Sequence, residues 1–488
     1  MSESTPTTTA AQDRVSFTQK FVYGLGALAN NLVPASLGCM VIVLNLEFHM
    51  DPARIGLILA FSKLTDAIVD PIMGYISDHT TFSWGRRRPY IVIGAILSGI
   101  IYALMWRLPA GHSKHFYFLF FLVGTNILFI CYTIFAAPFI GLGYEMTADY
   151  HERTRIQAYA NFIGQVAWTA VPWFWAVMYN KSFFETPVAG ARGLAIGVGI
   201  SITLCGILPG LFCKEPFFQI AVKEHRKSGT NENLMAGVLH HIRSFFRGFW
   251  ITLKNSRFNK LAIATFFIFN GFMIIAGLGN YTIIYYLFHG DKNAATSGKY
   301  IGLFGSLSSL CTFGAIFLVA WMASKIGKKK AFLISTSLAI FGYAIKFPFY
   351  NPHLPWLILL AAPLTAFGLG GLFTTVAAMI ADVCDLDELE NGERREATFG
   401  AIYWFMVKLG TAVALALSGY VLNWTGFHEE LGGAQSSQTL LLLRLFEVGI
   451  PVVTYLAAIF VMLPYDLTQE KAREIRQELE KRRGAASA

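Results

Sequence analysis

Long apolar runs broken by short polar turns are the dominant pattern of this chain. About 20 mostly apolar residues suffice to cross the hydrocarbon core of a bilayer, and the sequence offers about twelve such runs. They fall at 22–47, 53–77, 89–108, 115–143, 158–180 and 191–213, then at 260–288, 299–323, 330–348, 354–381, 397–423 and 443–464. The pattern predicts an all-α membrane protein of two six-helix halves, 20–213 and 259–464, joined by a polar linker over 214–258. A polar tail, 1–19, precedes them, and the EKAREIRQELEKRR run within 465–488 predicts a solvated tail helix.

Composition narrows the class. A hydrophobic fraction of 55% with only 14% charged residues excludes an ordinary soluble enzyme. The net charge of +9 does not call for nucleic acid, because the cations are concentrated in turns on one side. These are Arg86 to Arg88, Arg153 with Arg155, Lys325 with Lys328 to Lys330, Arg394 with Arg395, and the linker's Lys223, Arg226, Lys227, Arg243, Arg247 and Lys254. The opposite turns hold only scattered cations such as Arg54, Lys114, Lys181, Arg192 and Lys292. By the positive-inside rule both termini are then cytoplasmic. The six cysteines lack a CxxC or CxH spacing and read as small hydrophobes, and the N-terminus lacks the apolar core of a secretory signal.

An internal repeat supports the division into halves. GYISDHTTFSWGRRRPYIVIG after the second run is echoed by LVAWMASKIGKKKAFLISTS after the eighth, each a helix end, a Gly-basic cluster and a new apolar run. Two halves related in this way, with a solute site between them near mid-membrane, are the pattern of a transporter.

The chemistry is concentrated in KLTDAIVDPIMGYISD, where Lys63, Asp66 and Asp70 fall on one helical face at i, i+3 and i+7. An ionised carboxylate at bilayer depth costs at least ~2.5 kcal/mol, so two within a turn predict a cation or proton site, with structural pairing to Lys63 or Lys408 as the alternative. Other polar groups inside apolar runs are Asn30, Asn31, Asn126, Asn161, Gln165, Asn270, Asn280 and Lys408, with Tyr23, Trp168, Trp173, Phe373 and Trp404 near them in sequence. Amides donate and accept, which suits hydroxyls, and aromatic faces suit a pyranose ring, so Asn30, Asn31, Tyr23, Asn161, Gln165, Phe373 and Trp404 are candidate solute ligands. No HExxH or nucleophile motif and no intramembrane His cluster speaks for an enzyme.

These segments, from KFVYGLGALANN through DAIVDPIMGYISD, YTIFAAPF and MTADYHERTR to MIADVCDLDELENGERREATFGAIYWFMVKLG, resemble the major facilitator superfamily and, within it, the glycoside-pentoside-hexuronide:cation symporters. The resemblance implies the major facilitator fold and secondary active symport of a sugar or glycoside with Na⁺ or H⁺, with no other cofactor, in a chain acting as a monomer in a cell inner membrane. It assigns Asp66, Asp70 and Thr133 to the cation, with Na⁺ as the only metal, and places Lys408 beside them; Lys63, on the same helical face as the two acids, is a further coupling residue. It also makes the charged turns a cytoplasmic gate: Asp78 with Arg86, Arg87 and Arg88, Asp149 with Arg153, and Asp382, Asp385 and Glu388 with Arg394 and Arg395. A lattice of modest ion pairs suits a bistable lock because each is weak enough to release.

Departures from the family pattern qualify the solute. Asn31 and Ala136 stand where the melibiose permease has its sugar-gripping aspartates, Ile140 replaces its stacking aromatic and Asn161 its pocket arginine. Val69 replaces an Asn between the two cation-site aspartates, which removes a neutral oxygen and weakens Na⁺ more than H⁺. The related lysophosphatidylcholine symporters make a lysolipid-like or other amphiphilic solute the alternative.

Overall fold

The computed structural model describes residues 14–80, 82, 84–108, 111–147, 149–215, 239, 242–243, 246–250, 252–391 and 395–486. Helices account for the architecture, and the only β-type pairing among the described residues is an isolated bridge between Phe82 and Gly85. In chain order the helices are α1 (Phe17–Met40), α2 (Ile42–Leu46), α3 (Pro52–His79), α4 (Arg88–Met105), α5 (Lys114–Glu145), α6 (Tyr150–Ala170), α7 (Phe174–Met178) and α8 (Pro187–Phe212). After the linker come α9 (Ser256–Ile275), α10 (Leu278–Tyr281), α11 (Lys299–Ile326), α12 (Lys328–Phe349), α13 (Ala362–Asn391), α14 (Glu396–Trp424), α15 (Ser437–Met462) and α16 (Gln469–Ala486).

Ten described helical stretches are long and apolar enough to cross a membrane. Two of the runs read from the sequence fall short of that measure, α3 and α6, and both do so because of what they carry. Lys63, Asp66 and Asp70 lie in α3, while Glu152, Arg153, Arg155, Gln157, Asn161 and Gln165 lie in α6. Polar groups at these depths lower hydropathy for the same reason that they mark function.

The chain divides into two compact units. The first comprises Met1–Met40, Thr65–Phe174 and Phe184–Ile242. Its helices pack through glycines: a Cβ on Gly94 of α4 would lie 2.3 Å from the backbone N of Phe135 in α5, and one on Gly99 would lie 2.4 Å from the Gly199 carbonyl of α8. Close backbone approach between small residues is the main packing device where lipid gives helices no hydrophobic reason to associate. Gly94→Ala is accordingly expected to force α4 and α5 apart and to destabilise the folded protein by roughly 1–3 kcal/mol, read as a lower melting temperature in detergent.

The second unit comprises Val41–Leu64, Trp175–Phe183 and Arg243–Ala488. Phe258, Phe332, Val376, Val383, Phe399 and Tyr455 form its core. The tail helix α16 buries Leu479, and its Ile475 packs against that core. Arg257 donates from Nε and Nη2 to Asp466 at 3.0 and 2.9 Å, and these hydrogen bonds hold the Asp466 carboxyl below its ordinary range. That pair's contribution is present above the ordinary carboxylate pKa and is lost as pH falls through the lowered value.

Each unit repeats one turn. Gly85 (φ +142°) and Gly327 (φ +88°) adopt backbone angles that other residues avoid, and a run of cations follows each. Arg88 then donates to the Gly210 and Leu211 carbonyls at 2.7 and 2.6 Å, while Lys329 donates to those of Leu463 and Tyr465 at 2.6 and 2.7 Å. In both units a cation from the turn satisfies carbonyls at the C-terminal end of the unit's last long apolar helix, where the helix dipole also favours it.

Candidate functional site

In the first unit, α3 and α5 bring together two of the residues singled out for the cation. Asp66 is 2% exposed and accepts a hydrogen bond of 3.2 Å from Thr133 Oγ1. Asp70 lies one turn further along α3 and is partly buried. Beside them Thr65 donates from Oγ1 to Asn126 Oδ1, and the Asn126 amide donates to the Leu122 carbonyl at 2.7 Å. Asn126 thus links α5 to α3 at Thr65, the residue before Asp66.

The hydroxyl of Thr133 has one proton and two lone pairs, so it can donate to Asp66 or turn its oxygen to an ion held by Asp66. A Na⁺ requires hard oxygen ligands, which the carboxylates of Asp66 and Asp70 and this hydroxyl supply, whereas a proton requires only one carboxylate. Among the described residues no cluster of three or more His, Cys, Asp or Glu side chains forms a transition-metal site.

Of the candidate solute ligands, Asn30 and Asn31 are partly buried on α1 and each meets an aromatic residue. Tyr132 donates to the Asn30 Oδ1 at 3.0 Å and to its carbonyl at 3.2 Å. Trp168 Nε1 donates to Asn31 Oδ1 at 3.3 Å, and the Asn31 amide donates to the Ala27 carbonyl at 3.1 Å. Tyr23 is buried and stacks on Phe139 at 4.6 Å between centroids, with Gly143 leaving room for its hydroxyl. Asn161 and Gln165 lie on α6, the former exposed and the latter partly buried.

Lys63, Lys408, Phe373 and Trp404 belong to the second unit. Lys63 precedes Asp66 by three residues on α3, and Lys408 is partly buried on α14. Phe373 and Trp404 stack at 6.3 Å, and Phe269 meets Phe373 edge-on at 5.9 Å.

The charged turns are organised within each unit. Arg87 binds Asp78 through Nε and Nη2 at 3.0 and 2.5 Å and Glu145 at 3.1 Å, and Arg86 also pairs with Glu145. Glu215 accepts the backbone N–H groups of Arg86, Arg87 and Arg88 at 3.0 to 3.1 Å. Asp149 caps α6 by accepting from the Glu152 N–H at 2.7 Å, while Arg153 donates to the Thr147 carbonyl at 3.2 Å. In the second unit Lys328 binds both oxygens of Asp382, at 2.6 and 2.7 Å, and Arg395 binds Asp387 at 2.6 and 2.8 Å. Asp385 and Glu388 are partly buried on α13, and Arg394 lies outside the described residues.

Sequence reading alone did not single out Glu145, Glu215, Asp387 or Lys328 as partners, nor Tyr132 as the residue on Asn30. The signal for Glu145 and Asp387 was available, since each is an acid at the helix end facing a basic turn. Glu215 carried none, because a solvated linker acid looks the same in sequence.

Membrane-length helices, two of which carry a buried carboxylate–hydroxyl pair between them, are the build of a secondary transporter. The chain belongs to the MFS/sugar transport protein family, whose model matches residues 22–469, and within the major facilitator superfamily it falls among the glycoside-pentoside-hexuronide symporters. It is a multi-pass, cation-coupled symporter and not an enzyme. Similar proteins include the isoprimeverose transporter of Lactiplantibacillus pentosus, 23% identical with 97% of this chain and 96% of that protein covered. The sodium-dependent lysophosphatidylcholine symporter 1 of Gallus gallus is 24% identical over 96% of this chain and 90% of its own. Among solved structures, a bacterial homologue of the human lysosomal transporter Spinster superposes with a TM-score of 0.65 at 14% identity, covering 94% of this chain and 96% of that one. The nucleoside transporter NupG gives 0.63 at 14%, covering 92% and 100%. At these identities the solved structures speak for the fold alone.

Proposed function

We propose that the protein carries a sugar or glycoside into the cytoplasm together with Na⁺ or H⁺, with the coupling ion on Asp66, Asp70 and Thr133. The buried Asp66 carboxylate with the Thr133 hydroxyl on it is the observation that carries this reading, since an acid in a membrane span persists where ion binding requires it. Ion binding would neutralise this face of α3, favour solute binding and permit reorientation of the loaded carrier. Linkage makes the effect mutual, because an ion that tightens the solute site must itself be bound more tightly when solute is present.

In this reading the halves 20–213 and 259–464 rock about the site with the linker 214–258 and both termini on the cytoplasmic side of the inner membrane. Asn30, Asn31, Tyr23, Asn161 and Gln165 from one half, and Phe373 and Trp404 from the other, supply amides and rings to the solute, and Lys63 and Lys408 tune the acidic pair. The paired turns of Asp78, Arg86 to Arg88, Asp149, Arg153, Asp382, Asp385, Glu388, Arg394 and Arg395 form the cytoplasmic gate. The isoprimeverose relative supports a sugar, and the amide and aromatic groups on α1 and α6 fit one.

A thermal-shift screen of the purified protein against glycosides, pentoses, uronides and lysophosphatidylcholine, with and without Na⁺, tests the solute class. A ligand that binds only the folded state raises the melting temperature by mass action. The expected result is a shift with a glycoside that grows with Na⁺ or with acid. A shift with lysophosphatidylcholine alone would replace the sugar reading with the amphiphile. Thr133→Val is expected to weaken Na⁺ about tenfold in the same assay while a pH-dependent shift persists, because a proton requires only the carboxylate.

A further inference from the structure

Two short pieces that belong by sequence to the first six helices, Val41–Leu64 and Trp175–Phe183, lie in the second unit, tied to it by a polar network. Lys292, after α10, donates to Glu429 at 3.0 Å and to the Leu46 carbonyl at 3.2 Å, and lies 3.9 Å from Glu47. Tyr179 donates to Glu47 at 2.7 Å, and His49, held at a positive φ of 50°, sets Nδ1 against Glu429. Below them Tyr281 donates to Asn45 at 2.9 Å, and Asn423 donates to Asp51 at 3.0 Å. By chain order all of these turns lie at the helix ends opposite the Gly85 and Gly327 turns.

The character of this network differs from that of a static core. Lys292, Glu47 and Glu429 keep side-chain exposures of 25%, 21% and 12%. Partly hydrated charge pairs are individually weak, and a set of them closes and opens without leaving a buried orphan charge. We propose that Lys292, between Glu47 and Glu429, is the keystone of a latch that holds the side opposite the basic turns shut and must part for solute to enter there. The proposal rests on the alternating-access reading above, but its test uses no solute.

The reporter is Ser297→Cys in a chain whose six native cysteines are replaced. Ser297 is fully buried, and the adjacent Gly298 would place a Cβ 3.1 Å from Ala176 in the second borrowed segment. Labelling by a bulky polar maleimide is followed in lipid nanodiscs, where both faces are accessible. Lys292→Ala is expected to raise the labelling rate about tenfold by shifting the population toward the parted form, and Glu429→Gln to raise it less. Lys292→Arg, which keeps the cation, should leave it slow. Equal rates in Lys292→Ala and Lys292→Arg, both with the parent's melting temperature, would overturn the latch. A wrong solute class would appear in the ligand screen and leave these rates untouched.

Discussion

Asp66→Asn is expected to abolish concentrative uptake, lowering steady-state accumulation by about 100-fold while the protein still inserts and folds, because the amide can neither hold a cation tightly nor exchange a proton. Asp66 is the more buried of the two acids and the one on which Thr133 donates, so removing its charge relieves the cost of an empty site without disturbing the packing of α3 on α5. Asp70→Asn, one turn away, should likewise uncouple transport. The mutants should retain solute exchange down a gradient, which separates a coupling role from a fold role. Near-normal accumulation in Asp66→Asn would mean that the acid only steadies helices.

The second large effect lies in the second unit. Lys346 of α12 and Glu447 of α15 are 3% and 0% exposed and form an ion pair, with the Tyr350 hydroxyl donating to the same carboxylate and the Phe304 ring 4.6 Å from the ammonium. Glu447→Ala strands a buried ammonium and is expected to cost ~3–5 kcal/mol, enough to lower the melting temperature sharply or abolish expression. The double replacement Lys346→Met with Glu447→Leu removes both charges and should restore most of that loss. A single mutant as stable as the parent would show that water reaches the pair. Both carboxylate oxygens of Glu447 accept hydrogen bonds within the second unit, so this pair acts as an anchor.

The two acidic systems show what a sequence can and cannot reveal. Asp66 and Asp70 were legible because charge within an apolar run is costly and their spacing stacks them on one helical face. The Gly-basic turns were legible as a repeat, and their shared use as caps on Gly210, Leu211, Leu463 and Tyr465 follows from the same residues. Lys346 and Glu447 were not, because each falls near the end of its apolar run in the sequence, where a snorkelling charge looks the same as a buried one until the partner helix is placed. The latch was invisible for a similar reason: Lys292 read as a scattered cation in a turn, and only the fold brings Glu47 and Glu429 to it. Position along one helix can be read from spacing, but partners across helices depend on packing that spacing does not encode.

The most direct test of the account is uptake of a labelled glycoside, chosen from the ligand screen, into proteoliposomes under an imposed inward Na⁺ gradient or proton gradient. The account predicts accumulation above the external concentration under at least one of the two gradients, collapsing when an ionophore dissipates it. Equilibration to the external concentration and no further, under either gradient, would contradict cation-coupled symport of a sugar by this protein.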